Sequence, residues 1–285
     1  MNKITVVIVL YNSDVFCSKT LTSLSAIYYE NTDLFKNLNL IVYDNSEIRQ
    51  NIESNLPFSI RYCHDLKNPG IAKPYNVALK YAVQTSSRWL MLLDQDTELT
   101  EEYFREMSFF VEQDNLDDIV AIVPKVRCQN RIVSPTRSFL GGVQRYIDLS
   151  TKGTFTYVDK LTGINSCTML LVSYIESLGG FEESFHLDML DHWYFNMINK
   201  QQKKIFILDV FIEHSLSIYN YDSEMSVGRY ENIINSEIRF HKNYSHYLSN
   251  IVFVIRLIFR GLYQLLFLDN KEYGKLTFLS LTKVL

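Results

Sequence analysis

Two aspartates one residue apart, Asp94 and Asp96, end the apolar run "WLMLLDQDTEL" (89–99), with Glu98 just beyond. In an extended chain alternate side chains share a face, so Asp94 and Asp96 are expected to point one way and Gln95 the other. Two like charges on one face repel unless a cation lies between or beyond them. A divalent cation answers that need, because magnesium or manganese commonly takes one or two carboxylates together with substrate phosphates. The metal would then hold a phosphorylated donor. A second acidic pair, Asp188 and Asp191, stands in "HLDMLDHW" (186–193). The spacing of Leu187, Leu190, Tyr194 and Met197 predicts a helix over 187–199, with both acids on one face near its N-terminus. That end of a helix favours carboxylates, so a plain capping role stays open to at least one of them.

The elements that must position these acids can be read from three apolar runs, "ITVVIVL" (4–10), "LNLIVYD" (38–44) and "RWLMLLD" (88–94). All three are rich in Val, Ile and Leu on both faces, as strands of a covered parallel sheet are. "SIRYCH" (59–64) is a weaker fourth. Helical spacing appears in "SKTLTSLSAIYY", with Ser13 and Asp14 as candidate caps, and in "KPYNVALKYAV" after "NPG". Strand and helix alternate, which predicts an α/β fold with a mostly parallel, Rossmann-like sheet flanked by helices. In such sheets ligands bind beyond the carboxyl ends of the strands. Tyr11 and Asn12, Asp44 and Asn45, and Asp94 with Gln95 and Asp96 all fall at those ends and define one rim. "DNS" alone reads equally well as a turn; three such ends together read as a site. Neither "GxGxxG" after the first strand nor "GxxxxGK[ST]" anywhere occurs, so the commonest phosphate loops have no support here.

Composition narrows the class. The 285 residues are 47% hydrophobic and 21% charged, with a formal net charge of -4. These values fit a globular chain and give no basic field for nucleic acid. Cys17, Cys63, Cys128 and Cys167 are scattered, without zinc-site spacing, and are expected to be reduced thiols of a cytoplasmic protein.

The ordered series "VVIVLYN", "VYDNS", "NPGIAKPYNVAL", "LLDQDTEL", "LGGFEESFHLDMLDHWYF" and "FIEHSLS", spanning about 3–217, resembles family 2 glycosyltransferases, the inverting enzymes with a GT-A fold. "LDQD" resembles the rhamnosyltransferase branch in particular. The resemblance implies a catalytic domain over 1–218, with a nucleotide-sugar half to about 98 and an acceptor half over 99–218. It implies that Tyr11 and Asn12 lie near the nucleotide, that Asp44 accepts from the imide N–H of uracil or thymine, and that Asn68, Gly70 and Asn76 shape the nucleotide wall. Asp94 would face the sugar or ribose, Asp96 would coordinate Mg2+ or Mn2+, and His214 would be the second protein ligand. Taken blind, a histidine after an apolar strand is more often structural; its place in the motif order assigns His214 to the metal. Asp191, two positions before Trp193, takes the slot of the general base, and a one-residue contraction there keeps Asp188 as the alternative. The implied reaction moves L-rhamnose from dTDP-rhamnose to an undecaprenyl-linked saccharide, or galactofuranose, galactose or glucose from a UDP-sugar. A nucleotidyltransferase and a non-catalytic nucleotide-sugar-binding homologue are the readings from other classes.

Two regions depart from the pattern or go beyond it. "TGINSCTMLL" places Cys167 near an expected glycine, where a side chain could narrow the sugar pocket. The stretch from Val126 to Gly163 is turn-rich and is expected to form a flap over the acceptor. Residues 219–285 form a helical extension. Its run "NIVFVIRLIFRGLYQLLFLDN" (250–270) contains Arg256 and Arg260, which disfavour a membrane span. Four apart, they share one helix face, as in a helix lying on the inner membrane surface; packing on the catalytic domain or in a homodimer is the alternative.

Overall fold

The computed structural model describes residues 3–52, 55–113, 116, 118–128, 131–148, 150–214 and 225–284. The first three apolar runs form β1 (Ile4–Leu10), β2 (Leu38–Asp44) and β4 (Trp89–Asp94), and the weaker one forms β3 (Arg61–His64). All are parallel, and the register sets Leu10 opposite Asp44 and Val9 opposite Asp94. The chain therefore leaves three neighbouring strands at one level, which builds the expected rim. Val6, Ile8 and Leu10 pack into a core with α1 (Lys19–Glu30) and α3 (Glu101–Val111), while Val7 and Val9 pack with α2 (Ala72–Gln84) on the other face. This double burial is why the strands carry no polar face.

The sheet continues through the second half of the chain rather than ending with a nucleotide-binding unit. β6 (Ile119–Cys128), β12 (Thr168–Leu171) and β13 (Lys204–His214) join it, and β10 (Gly153–Phe155) forms its far edge. The order is β10-β13-β6-β12-β4-β1-β2-β3, with β12 antiparallel to β4 and β6. A short β5 (Thr97–Glu98) pairs with the end of β13, and β7 (Arg131–Ser134) pairs with β6. The expected flap is more ordered than a turn-rich loop. β8 (Thr136–Ser138), β9 (Gln144–Tyr146) and β11 (Leu161–Thr162) form a small antiparallel sheet of their own.

After α4 (Val172–Ser177) and α5 (Leu190–Lys200), the C-terminal extension comprises α6 (Val227–Tyr244), α7 (Tyr247–Phe267) and α8 (Glu272–Leu281). It has its own small core around Tyr230, Ile234, Phe253, Leu257 and Tyr273. The helices α7 and α8 approach closely because glycines stand at their contact. A Cβ on Gly261 would lie 2.7 Å from the Phe278 ring, and one on Gly274 would lie 2.6 Å from the Leu265 side chain. The boundary expected at 218/219 and Ser215–Ser217 of the histidine motif lie outside the described residues.

Candidate active site

The convergence of Asp94 and Asp96 does not come from strand alternation. β4 ends at Asp94, Gln95 and Asp96 form a turn, and β5 then pairs Thr97 with His214. This turn gathers ligand atoms of Asp94, Asp96 and His214 to within 4.8 Å of one another. His214 Nδ1 lies 3.7 Å from Asp96 Oδ1 and 3.3 Å from Thr97 Oγ1. Ser166 Oγ donates to Asp94 Oδ2 at 2.5 Å and stands 3.5 Å from His214 Nε2. Burial raises the Asp94 carboxyl above its ordinary value, His214 and Ser166 oppose that shift, and the Asp96 and Asp191 charges add to it. Two carboxylates and an imidazole suit a divalent cation, with the imidazole favouring manganese over magnesium. Asp94, which the resemblance sets at the sugar or ribose, also stands in this candidate cation cluster.

Gln95 fixes this turn. Its Oε1 accepts from Tyr11 N at 2.8 Å, and its carbonyl accepts from Ser18 Oγ at 2.8 Å and Thr20 N at 3.3 Å. Thr20 Oγ1 donates to the carbonyls of Asp94 at 2.5 Å and Thr97 at 3.0 Å. The start of α1 therefore holds the DQD turn, and its cap is Ser18, accepting from Leu21 N at 3.3 Å, not the expected Ser13 or Asp14. The segment 12–17 has to pass over the rim before the helix can begin.

Asp44 is fully buried, and its two oxygens accept from Ser46 N at 2.9 Å and Tyr62 Oη at 2.6 Å. It folds the loop after β2, and its carboxylate is turned away from solvent. Burial and the bond to Asp44 push the Tyr62 hydroxyl up to about 12. Beside it opens a cavity of about 270 Å³ lined by Asn12, Ser13, Asp14, Ser46, Ile48 and Gln50 among others. Tyr11 is exposed at this rim, and Asn12 has a left-handed backbone (φ +48), its N–H donating to Ser46 Oγ at 2.9 Å.

The "NPG" segment ties the rim to the segment that carries the second acidic pair. Asn45 Nδ2 donates to the Gly70 carbonyl at 2.8 Å, and Ile71 N donates to the His186 carbonyl at 2.8 Å. Asn68 (φ +44) and Gly70 (φ +81) make the turn, and a Cβ on Gly70 would meet the His186 carbonyl at 1.9 Å. Asn76, which the resemblance sets in the nucleotide wall, brackets Phe181: its Oδ1 accepts from Phe181 N at 2.7 Å, and its Nδ2 donates to the Phe181 carbonyl at 2.9 Å.

In the segment that carries the second acidic pair the helix begins at Leu190, because Met189 takes a left-handed conformation (φ +71). Asp188 stands before the helix, so the expected pairing of Asp188 and Asp191 on one helical face does not form. Asp188 is held by Arg229 of α6 through bonds of 2.6 and 2.7 Å. Burial raises its carboxyl above the ordinary value in spite of Arg229. Asp191 remains in the first turn of α5, with Oδ1 accepting from His192 N at 2.7 Å and lying 3.0 Å from His192 Nδ1. Burial would lower the His192 imidazole, but the Asp191 carboxylate reverses the shift and the net change is upward. His192 Nε2 lies 2.8 Å from Gln144 Nε2 of β9, which links the acid to the flap. Cys167 does take a glycine-like backbone (φ +61), yet its thiol is buried in the core and narrows no pocket. Sequence reasoning assigned no role to Ser166, Tyr62, Gln144 or Arg229; Ser166 stands in "TGINSCTMLL", where only Cys167 was singled out, and only the fold sets these four side chains around the acids.

A family model described as "Glycosyl transferase family 2" matches residues 5–179. The dTDP-rhamnosyl transferase RfbF of Shigella flexneri is 23% identical over 193 residues, 65% of this chain and 64% of that protein. The chain thus matches under two thirds of that relative's length. Among solved structures, S. aureus TarS 1-349 in complex with UDP-GlcNAc is similar with a TM-score of 0.59 and 14% identity, covering 99% of this chain and 80% of that one. The same protein in complex with UDP gives 0.51 and 15%, covering 90% and 71%. At such identities the likeness carries the fold, and it agrees with the expected mixed α/β architecture with a C-terminal helical region.

Proposed function

Because the chain belongs to glycosyl transferase family 2, we propose that it transfers a sugar from a nucleotide-sugar donor with inversion at the anomeric carbon. The observation that carries this reading is the Asp94, Asp96 and His214 cluster, with Asp191 near enough to act electrostatically on Asp94. Asp96 and His214, with Asp94 beside them, would hold Mg2+ or Mn2+. A bound ion of that kind supplies positive charge against the charge that grows on the leaving diphosphate. Asp191 takes the proton from an acceptor hydroxyl as its oxygen attacks the anomeric carbon, and the nucleoside diphosphate departs from the opposite face. Asp188, already bound to Arg229, holds the segment in place.

The donor proposed is dTDP-rhamnose, on the similarity to a dTDP-rhamnosyl transferase, and the acceptor a lipid-linked saccharide at the cytoplasmic membrane face. A UDP-sugar is the second reading, favoured by the UDP and UDP-GlcNAc complexes of the structural neighbour. Calorimetric titration with dTDP and UDP, with and without manganese, separates them. Manganese-dependent binding of dTDP over UDP, abolished in Asp96→Ala and His214→Ala, is expected. Preference for UDP transfers the assignment to the second reading, and unchanged manganese dependence of binding in both variants overturns the ligand roles. Release of pyrophosphate in place of a nucleoside diphosphate would assign a nucleotidyltransferase, and binding without turnover a non-catalytic homologue.

A further inference from the structure

The helix α7 presents two unlike faces. Phe253, Leu257, Gly261 and Gln264 are buried against α6 and α8. Ile251, Ile255, Phe259, Leu262 and Leu266 lie on the opposite side, at the spacing of one helical stripe, with Phe259 68% and Leu266 67% exposed. The helix has 21 residues, and an 18-residue stretch of it has a mean hydropathy of 1.5. Its two charges do not interrupt the stripe. Arg260 turns inward to Glu237, at 2.7 and 3.1 Å, and Arg256 reaches the flap, its guanidinium 3.2 Å from where a Gly142 Cβ would stand. The flap turn Leu140–Gly142 packs on α7, and Phe139, Leu140 and Val143 are exposed beside it. An apolar surface this continuous on a folded chain marks an interaction site.

Charge selects the occupant. Residues 225–285 carry eight Lys and Arg against four Asp and Glu, a formal +4, while residues 1–224 carry -8. A second copy docking by a two-fold axis would set two extensions of the same net charge against each other. A span would strip the buried face from its core and take the Arg260–Glu237 pair into hydrocarbon. We propose that the exposed face of α7, together with the flap side chains Phe139, Leu140 and Val143, docks on an anionic phospholipid bilayer, with the helix lying in the interface. The same flap carries Gln144 to His192 beside Asp191, so docking sets the candidate base close to the lipid surface.

The inference does not depend on the donor assignment and is read without turnover. The full chain is floated with vesicles of phosphatidylcholine alone and of phosphatidylcholine with phosphatidylglycerol, at low and high salt. Binding to the anionic vesicles, weakened by salt, is expected, and the double variant Ile255→Ser, Phe259→Ser should lose it by about tenfold or more. Both residues are exposed, so an unchanged thermal midpoint serves as the control for folding. Undiminished binding by the variant, binding indifferent to lipid charge, resistance of the bound chain to alkaline extraction, or a concentration-dependent dimer that the variant dissociates would each overturn the proposal.

Discussion

At the rim, Asp44 and Asp94 end buried parallel strands level with Leu10 and Val9, and Tyr11 directly follows Leu10, so the three lie within two register levels of one another. On the acceptor side, Asp191 stands on a helix whose start is set by one left-handed methionine, and its neighbour Asp188 is held by an arginine 41 positions further along. The first arrangement is guaranteed by pairing of backbone groups that the sheet must satisfy in any case. The second relies on individual side chains, so single substitutions there should reach further. In the proposed mechanism the difference also separates roles: the rim would supply fixed charge, and the segment carrying Asp191 the group that gains a proton.

The largest effect is expected from Asp191→Asn. Loss of a general base lowers turnover by roughly 10²–10⁴-fold, while manganese-dependent nucleotide binding and the thermal midpoint stay near those of the parent. Steady-state kinetics beside calorimetry checks both halves. If Asp188→Asn abolished transfer and Asp191→Asn spared it, the comparison would break, because the residue locked to Arg229 would then be the reacting one.

Arg229→Met tests the side-chain clamp itself. It leaves the Asp188 carboxylate, 15% exposed, without its guanidinium, and breaking such a pair costs about 3 kcal/mol. The sign of the pH dependence follows from the raised Asp188 value. A carboxyl whose folded pKa is raised penalises the fold above that pKa, more so without Arg229, and the penalty recedes as pH falls through it. The gap between variant and parent in urea unfolding should therefore be wider at pH 7 than at pH 5. Asp188→Asn should cost less, since Arg229, 29% exposed, retains access to water.

These two regions were also unequally legible in the sequence. The runs at 4–10, 38–44 and 88–94 announced their strands because burial on both faces demands unbroken aliphatic composition, and the strand ends then located Asp94, Asp96 and the rest of the rim. His214 was legible only through motif order. Nothing in "HLDMLDHW" signals that Met189 turns left-handed, since methionine has no preference for that conformation. Helical spacing consequently extended the helix back to Leu187 and placed Asp188 on the wrong side of its start. Arg229 carried no signal because its partner is chosen by tertiary packing of α6. Arg256 and Arg260 share a helix face in the sequence, but only the positions of Glu237 and the flap determine that this face turns inward.

The smallest effect belongs to the rim. Ser18 Oγ accepts from Leu21 N and donates to the Gln95 carbonyl, so one hydroxyl joins the cap of α1 to the turn that carries Asp96. Ser18→Ala should cost about 1 kcal/mol of stability, the usual value for a lost cap. It should weaken manganese binding by less than about threefold, because Thr20 still holds the same turn through the carbonyls of Asp94 and Thr97. Ser13→Ala, at the cap position that the sequence favoured, should change neither thermal midpoint nor metal affinity. A loss of metal affinity in Ser18→Ala as large as that in Asp96→Ala would mean that the rim, too, depends on single side chains. In that event the contrast with the acceptor side would lie in which bonds carry the load, and strand ends alone would not secure the geometry of the acids.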